Sequence, residues 1–450
     1  MTDTATLSLP GGQMAYLPVV VGTEGERALD ISRLRSDTGY ITLDDGYTNT
    51  GSCKSAITFI DGEKGVLRYR GYNIEEIAKR CSFIETAQLL ISGDLPSPEK
   101  RKAFSDLLTE HSALPEDFRR HFAGFPVHAH PMSILSAMIN ALQSYDLPGL
   151  SIDDEEEFWR VSGSLISKVR TIAAAAYKSS IGESLIYPRY DLKYVENFLH
   201  MMFSRPYREY VPTAEATQAL NLFFLLHADH EQNCSTSTVR MVASGQANLY
   251  ASVAAGVCAL WGKSHGGANQ AVIEMLNILQ ASKTPVSEYV SKIRDKSSGI
   301  RLMGFGHRVY RHYDPRATLL KKACDDLLAK MEIHDERLDI ALQLEEVALH
   351  DDYFVSRQLY PNVDFYSGII LTALGIPMEM FTALFAIGRM PGWIANWKEI
   401  YDNKDAKIYR PRQVYVGPSE RAWVSRFHRE RETESDDSME FRVPNELRSM

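Results

Sequence analysis

Cysteine is scarce in this chain. Cys53, Cys81, Cys234, Cys258 and Cys324 are scattered through 450 residues, and no CxxC pair occurs. So odd and dispersed a set signals neither a disulfide framework nor a zinc site, and it suits a reducing compartment. Long hydrophobic runs are missing as well. No stretch approaches the ~20 uninterrupted apolar residues that a membrane-spanning helix needs. The opening residues, MTDTATLSLPGGQMAYLPVV, have no basic segment followed by an apolar one, and they contain no arginine. Neither a secretory signal nor a mitochondrial transit peptide is expected, and a cytoplasmic location is. Positive charge is in deficit too. Lys and Arg number 49 against 58 Asp and Glu, a formal net charge of -9. That argues against a nucleic-acid partner held by bulk charge, while leaving room for a locally basic site.

What the chain does have is an ordinary core-forming composition. It is 44% hydrophobic and 24% charged, as in a globular protein large enough to fold without staples. Its length suits two or three domains, or one large domain with a smaller one. Residues 1–65 read as a small β-rich region. Gly39-Tyr-Ile-Thr-Leu and Ser55-Ala-Ile-Thr-Phe-Ile are short and β-branched, with turns at Asp45-Gly46 and Asp61-Gly62. After Tyr72 the period becomes helical. Asn73 caps a stretch with Ile74, Ile77 and Ala78 on one face. Similar patterning recurs at about 84–92, 99–111, 131–143, 157–178, 191–203, 214–229, 248–260, 268–279, 286–295, 316–330, 337–349, 365–374, 378–387 and 391–402. The bulk should therefore be a mainly α assembly. There is no internal repeat. Ser151-Ile-Asp-Asp-Glu-Glu-Glu reads as a loop and a helix start. Beyond Gly417, charges of both signs crowd together, the composition of a disordered or surface-hugging tail.

Four polar clusters interrupt this background. His227-Ala-Asp-His230-Glu-Gln-Asn follows Leu222-Phe-Phe-Leu-Leu. The spacing would put both histidines on one helix face, either as a site or as capped core residues. A metal is disfavoured, because the HExxH spacing and an evident third ligand are missing. Ser264-His265-Gly-Gly-Ala-Asn precedes a helical stretch. Its glycines permit unusual φ and a close backbone approach, and the helix start offers partial positive charge to an anion. The plainer reading is a glycine-rich cap. Gly304-Phe-Gly306-His307-Arg308-Val-Tyr-Arg311-His312-Tyr-Asp314-Pro-Arg316 is the richest cluster. It makes no GxGxxG fingerprint. Its arginines suit carboxylates or phosphates through bidentate forks, or else form a solvated basic loop. Tyr360-Pro-Asn-Val-Asp364-Phe-Tyr-Ser-Gly sets an acid among apolar neighbours. Burial would make Asp364 a usable base; it could equally be a helix N-cap. Arg389 and Arg410 also stand out, although surface charge is the commoner role. Together these residues suit proton transfer on an anionic substrate. They do not name a reaction.

In combination the motifs resemble the citrate synthase family. The match runs through the His227, His265, His307 and Asp364 segments, Asp314-Pro-Arg316, Gly392-Trp-Ile-Ala and Ile408-Tyr-Arg410-Pro-Arg, in family order over roughly residues 40–416. Ser55-Ala-Ile-Thr-Phe-Ile-Asp-Gly-Glu-Lys-Gly is similar to the longer, Gram-negative-type bacterial subtype, which carries a small β region. The resemblance implies a β-rich N-terminal region over 1–65 and a large helical domain over 66–267 and 384–416. It further implies a small helical domain over 268–383 that closes over the substrates, while composition sets residues 417–450 apart as a charged tail. The implied reaction condenses oxaloacetate with acetyl-CoA to citrate and CoA through citryl-CoA. Asp364 would take a proton from the acetyl methyl group. His265 would hydrogen-bond the thioester carbonyl as it becomes an enol or enolate, where a fixed donor lowers the barrier. His307 would polarise the ketone of oxaloacetate. His227, Arg316 and Arg389, with Arg410 from a neighbouring subunit, would hold the oxaloacetate carboxylates. Arg311 would meet the phosphates of CoA. No metal and no permanently bound cofactor are implied, CoA serving as cosubstrate. The implied partners are the two substrates and further copies of the chain, as homodimer or hexamer, with neither nucleic acid nor membrane.

Two rival readings remain. A 2-methylcitrate synthase would apply the same groups to propionyl-CoA, and one methyl is worth only ~1–3 kcal/mol of discrimination. The long N-terminal region favours citrate. A catalytically silent CoA-binding helical protein would be expected to have lost Asp364, His265 or His307. The chain departs from its relatives in one respect. Some bacterial members of the longer subtype are inhibited by NADH at a basic pocket with a reactive cysteine. Two arginine positions of that pocket correspond to Glu110 and Ser164 and the cysteine position to Tyr207, while His111 and Lys168 remain and Arg170 is near in sequence. Weak or absent NADH inhibition is expected, because phosphate recognition leans on such charges.

Overall fold

The computed structural model describes residues 3–145, 154–306, 309–310, 313–331 and 335–426. They form two compact units. One takes the described residues up to Ser52 and from Arg410 on; the other is Cys53–Tyr409.

In the first unit, β1 (Thr4–Ser8), β2 (Met14–Val21) and β3 (Arg27–Leu29) make an antiparallel sheet in that order. Gly11 and Gly12 both sit at φ +81°, which lets the chain turn between β1 and β2 where a side chain would be strained. Alternation along β2 buries Ala15 and Leu17, and with Leu34 they are a core of three. No strand forms over Gly39–Leu43, contrary to expectation. Gly39, at φ +84°, ends the short helix Leu34–Thr38, and irregular chain follows.

The second unit opens with β4 (Thr58–Asp61), β5 (Val66–Tyr69) and β6 (Tyr72–Asn73), an antiparallel meander. Helices and the chain that joins them make up most of its other described residues. The helices that shape the site are α1 (Glu155–Ser180), α2 (Ala214–Leu226), α3 (Cys234–Ser244), α4 (Leu249–Leu260) and α5 (Ala268–Ser282). They continue with α6 (Pro315–Met331), α7 (Glu336–His350), α8 (Val363–Ala373) and α9 (Phe381–Asp402). The first turn of α1 carries Glu155, Glu156 and Glu157 behind an Asp154 cap, so the described part of the acidic run favours the positive end of the helix dipole. Two features depart from the sequence pattern. Helix α3 was hidden because its first residues, Cys-Ser-Thr-Ser-Thr, are polar and β-branched; Asn233 caps it by accepting from Thr236. The stretches read as 378–387 and 391–402 become a 3-10 turn followed by one helix, which passes through Pro391. Burial of nearly every residue from Phe381 to Trp397 outweighs the proline's missing donor.

The hairpin β4–β5 groups with the helices, whereas residues 410–416 group with the N-terminal strands. Ile57, Leu67 and Tyr69 explain the first of these, since they join the helical core with Phe223, Phe224 and Trp393. Among the described residues no helix is long and apolar enough to cross a membrane. No group of three His, Cys, Asp or Glu gathers there as a metal cluster would. Most of the charged tail lies outside the described residues.

Candidate active site

Helix α2 buries its apolar end and stops at Leu226, leaving His227 as its C-cap. The expected shared helix face with His230 is therefore absent. His230 stands in the following loop, with Nε2 3.3 Å from the Tyr310 hydroxyl. His227 is fully buried between Phe223, with ring centroids 4.2 Å apart, and the edge of Phe385 at 4.7 Å. Its Nδ1 lies 2.7 Å from the Phe223 carbonyl. A carbonyl only accepts, so Nδ1 carries the proton. Nε2 is buried and meets no partner. Burial first, then the nearby Arg316 and Arg389 charges, hold this ring well below its ordinary pKa.

Arg389, on α9, is as deeply buried. Its Nε donates to the His227 carbonyl at 2.7 Å, its guanidinium lies 5.0 Å from the Phe385 ring centroid, and its Nη1 is unpartnered. Burial pulls its pKa down, with Asp229 opposing. The unpartnered Nη1 of this desolvated cation is arranged to receive an anion, and a carboxylate bound there would draw a second proton onto His227 and turn its Nε2 into a donor as well. Arg316, at the start of α6, is buried in a bidentate pair with Asp314, Nε to Oδ1 at 3.1 Å and Nη2 to Oδ2 at 2.8 Å. Burial opposes its charge, but the groups around it, Asp314 foremost, together keep the pKa above the ordinary value.

His265 follows α4. Its Nε2 accepts the Ser235 N–H at 3.2 Å and lies 2.9 Å from the Ser235 hydroxyl, which also accepts from Trp393 Nε1 at 3.2 Å. Ser235 is in the first turn of α3, so a helix N-terminus faces the ring and favours neutral imidazole. Accepting at Nε2 leaves Nδ1 as the proton-bearing nitrogen. Burial, helped by Arg389, brings the pKa down to about 4. Gly266 serves by close approach rather than by unusual φ: a Cβ there would fall 2.5 Å from the Leu260 carbonyl.

Gly304 and Gly306 sit at φ +81° and +74°. Gly306 N–H donates to the Tyr360 carbonyl at 2.8 Å, and Asn362 N–H donates to the Gly304 carbonyl at 2.9 Å. The Asn362 side chain adds a bond from Nδ2 to the Gly306 carbonyl at 2.8 Å. The chain entering the His307 segment is thus laced to the chain entering α8. His307, Arg308, Arg311 and His312 themselves lie outside the described residues. Asn362 Oδ1 caps α8 by accepting from Asp364 and Phe365 N–H. The cap role is therefore taken, and Asp364 is left for something else. Burial pushes its carboxyl up to about 6, against the pull of Arg316. Arg410 is exposed and belongs to the other unit.

Electrostatics ties the described set together. Arg316 acts on both His227 and Asp364, and Arg389 on both His227 and His265. Sequence reasoning missed Ser235, Asp229 and Asn362. Asn362 was legible as a cap two residues before an acid and an apolar run. Ser235 gave no signal inside its polar run.

The family model described as citrate synthase, C-terminal domain, matches residues 46–412. The chain is 50% identical over 423 residues to citrate synthase 1 of Mycobacterium tuberculosis, covering 94% of this chain and 98% of that protein. The chain belongs to the citrate synthase family. It is also 46% identical over 428 residues to the citrate synthase of Corynebacterium glutamicum, covering 95% of this chain and 98% of that protein. Among solved structures, the citrate synthase of Pyrobaculum aerophilum superposes with a TM-score of 0.77 at 32% identity, covering 95% of this chain and all of that one. A Thermoplasma acidophilum citrate synthase, in ternary complex with carboxymethyl coenzyme A and oxaloacetate, gives 0.77 at 29% identity over 86% of this chain and 100% of that one. The mainly helical citrate synthase fold, with small N-terminal antiparallel sheets, is the one seen here.

Proposed function

We propose that this site condenses oxaloacetate with acetyl-CoA, using Asp364 and His265 at the acetyl group and His227, Arg316 and Arg389 at the dicarboxylate. One observation carries the reading. A single electrostatically linked cluster holds a carboxylate raised to about 6 and an imidazole lowered to about 4. At neutral pH the first is an ionised base of useful strength, and the second is a neutral donor. Asp364 removes a methyl proton, and the electron pair moves to the thioester oxygen, which the Nδ1–H of His265 stabilises. The new carbanion equivalent attacks the ketone carbon of oxaloacetate, the carbonyl electrons pass to its oxygen, and His307, by the family motif, would give that alkoxide its proton. Water then cleaves the citryl thioester, releasing CoA and citrate.

Polarisation of the ketone by His307 and contact of Arg311 with the CoA phosphates rest on the family motif. So does the reach of Arg410 into a neighbouring subunit, which makes the working form a homodimer or a hexamer. Closure of a small domain over 268–383 would exclude water during enolisation. The β1–β3 sheet supports the longer, Gram-negative-type subtype, and the scattered free cysteines support a cytoplasmic location. The test is release of the CoA thiol when acetyl-CoA and oxaloacetate are supplied together, with kcat/KM higher than for propionyl-CoA. Failure to release thiol with either acyl-CoA overturns the reading.

A further inference from the structure

In the sequence the stretch from Ser55 to Gly65 reads as a β-branched segment with a turn at Asp61-Gly62, and as the mark of a subtype. In the fold it supplies β4 and its turn, and the β4–β5 hairpin grips the loop that follows His227. Tyr69, at the end of β5, is fully buried. Its hydroxyl donates to the Asp229 carbonyl at 2.9 Å and lies 3.4 and 3.5 Å from the carbonyls of Leu226 and Leu225. Those two are the last residues of α2, where carbonyls lose their helical partners; the Leu225 carbonyl also accepts Ala228 N–H at 3.2 Å. Thr58, in β4, donates its hydroxyl to Asp229 Oδ2 at 2.6 Å. Ile60 N–H donates to Glu231 Oε1 at 2.9 Å.

Helix α9 holds the same loop from another side. Gly392 N–H donates to the Ala228 carbonyl at 3.1 Å, and Asn396 Nδ2 donates to Asp229 Oδ1 at 3.4 Å. A Cβ on Gly392 would fall 2.3 Å from the Ala228 oxygen and 2.5 Å from Asp229 Oδ1. So the loop lies directly on the α9 backbone, one turn beyond Arg389. Asp229 is almost fully buried, and both its carboxylate oxygens are engaged in this support.

We infer that the β4–β5 hairpin is a positioning element: through Thr58 and Tyr69 it fixes Asp229 against α9, and so sets His227 against Arg389. This rests on the proposed role of His227 and Arg389 as a dicarboxylate clamp. Each of those two residues carries a buried atom without a hydrogen-bond partner, Nε2 of His227 and Nη1 of Arg389. Charge-assisted recognition of this kind tolerates only about 0.5 Å of slack. Losing the hairpin's grip should therefore show at oxaloacetate before it shows anywhere else.

The test compares Thr58→Val, which keeps the shape and loses the hydroxyl, with Thr58→Ser, which keeps the hydroxyl. Thr58→Val should raise the oxaloacetate KM about tenfold, equal to about 1.4 kcal/mol. The kcat at saturation and the acetyl-CoA KM should stay near wild type, and Thr58→Ser should restore the oxaloacetate KM. Tyr69→Phe should show the same split. Thr58 is only partly buried, so both of its variants are expected to fold, and circular dichroism checks that. Equal oxaloacetate KM for Val and Ser, or kcat and both KM values changing together, overturns the inference. Arg389→Ala is measured in parallel. If it raises the oxaloacetate KM while Thr58→Val does not, only the hairpin's role falls. If it leaves that KM unchanged, the clamp falls and the hairpin's role with it.

Discussion

Replacing Asp364 by asparagine should remove activity and add stability. Its carboxyl is pushed up from an ordinary 3.8 to about 6, chiefly by burial, with Arg316 pulling the other way. Between those two values the folded state binds the proton more tightly than the unfolded state does. Stability therefore falls as pH rises through that window, and the cost is fully present above it. The rise from 3.8 to about 6 corresponds, at about 1.4 kcal/mol per tenfold, to about 3 kcal/mol. The residue keeps some exposure, and solvent screening reduces the realised gain to about 1–2 kcal/mol. Asparagine keeps the shape without the charge. The variant should unfold at higher urea than wild type at about pH 7.5, and its advantage should shrink towards pH 5 as the wild-type carboxyl takes up its proton. In the thiol-release assay kcat should drop ~10²–10⁴-fold with oxaloacetate binding retained. A variant no more stable than wild type at about pH 7.5 refutes the desolvation argument. One that keeps more than half the wild-type rate removes Asp364 from the role of base.

Because Asp364 works ionised, kcat/KM for acetyl-CoA should fall about tenfold per pH unit below about 6; a flat profile down to pH 5 would count against it. Arg389→Ala and Arg316→Ala should each raise the oxaloacetate KM at least a hundredfold, since an unpaired desolvated carboxylate costs about 3–5 kcal/mol. Unchanged affinity in both would end their assignment as carboxylate partners. NADH at micromolar concentration should leave the rate unchanged at low salt and sub-saturating acetyl-CoA. Lys168 Nζ already donates to Ser164 Oγ at 2.6 Å within α1, while Glu110 and Tyr207 are exposed, so an anion and a phenol stand where cation and thiol would be needed. Competitive inhibition by NADH would show that a dinucleotide pocket survives.

Most helices, α3 excepted, were legible in the chain because they depend on signals a few residues apart: an apolar period, a cap such as Asn73 or Asp154, an acidic first turn. His265, Arg389 and Asp364 stood out as candidates because histidine, arginine and aspartate are conspicuous in an apolar helical setting. What those side chains are able to do was not. The protonated nitrogen of His227 is decided by the carbonyl of Phe223, and that of His265 by the N–H of Ser235, 30 residues away in the chain. Asp364 passes from possible cap to raised carboxyl only because Asn362 already occupies the cap and the surrounding fold removes water. The hairpin's hold on Asp229 joins residues 171 positions apart. Periodicity and caps are local properties and can be read along one dimension. Desolvation, and the choice of hydrogen-bond partner across the fold, exist only once distant segments have packed together.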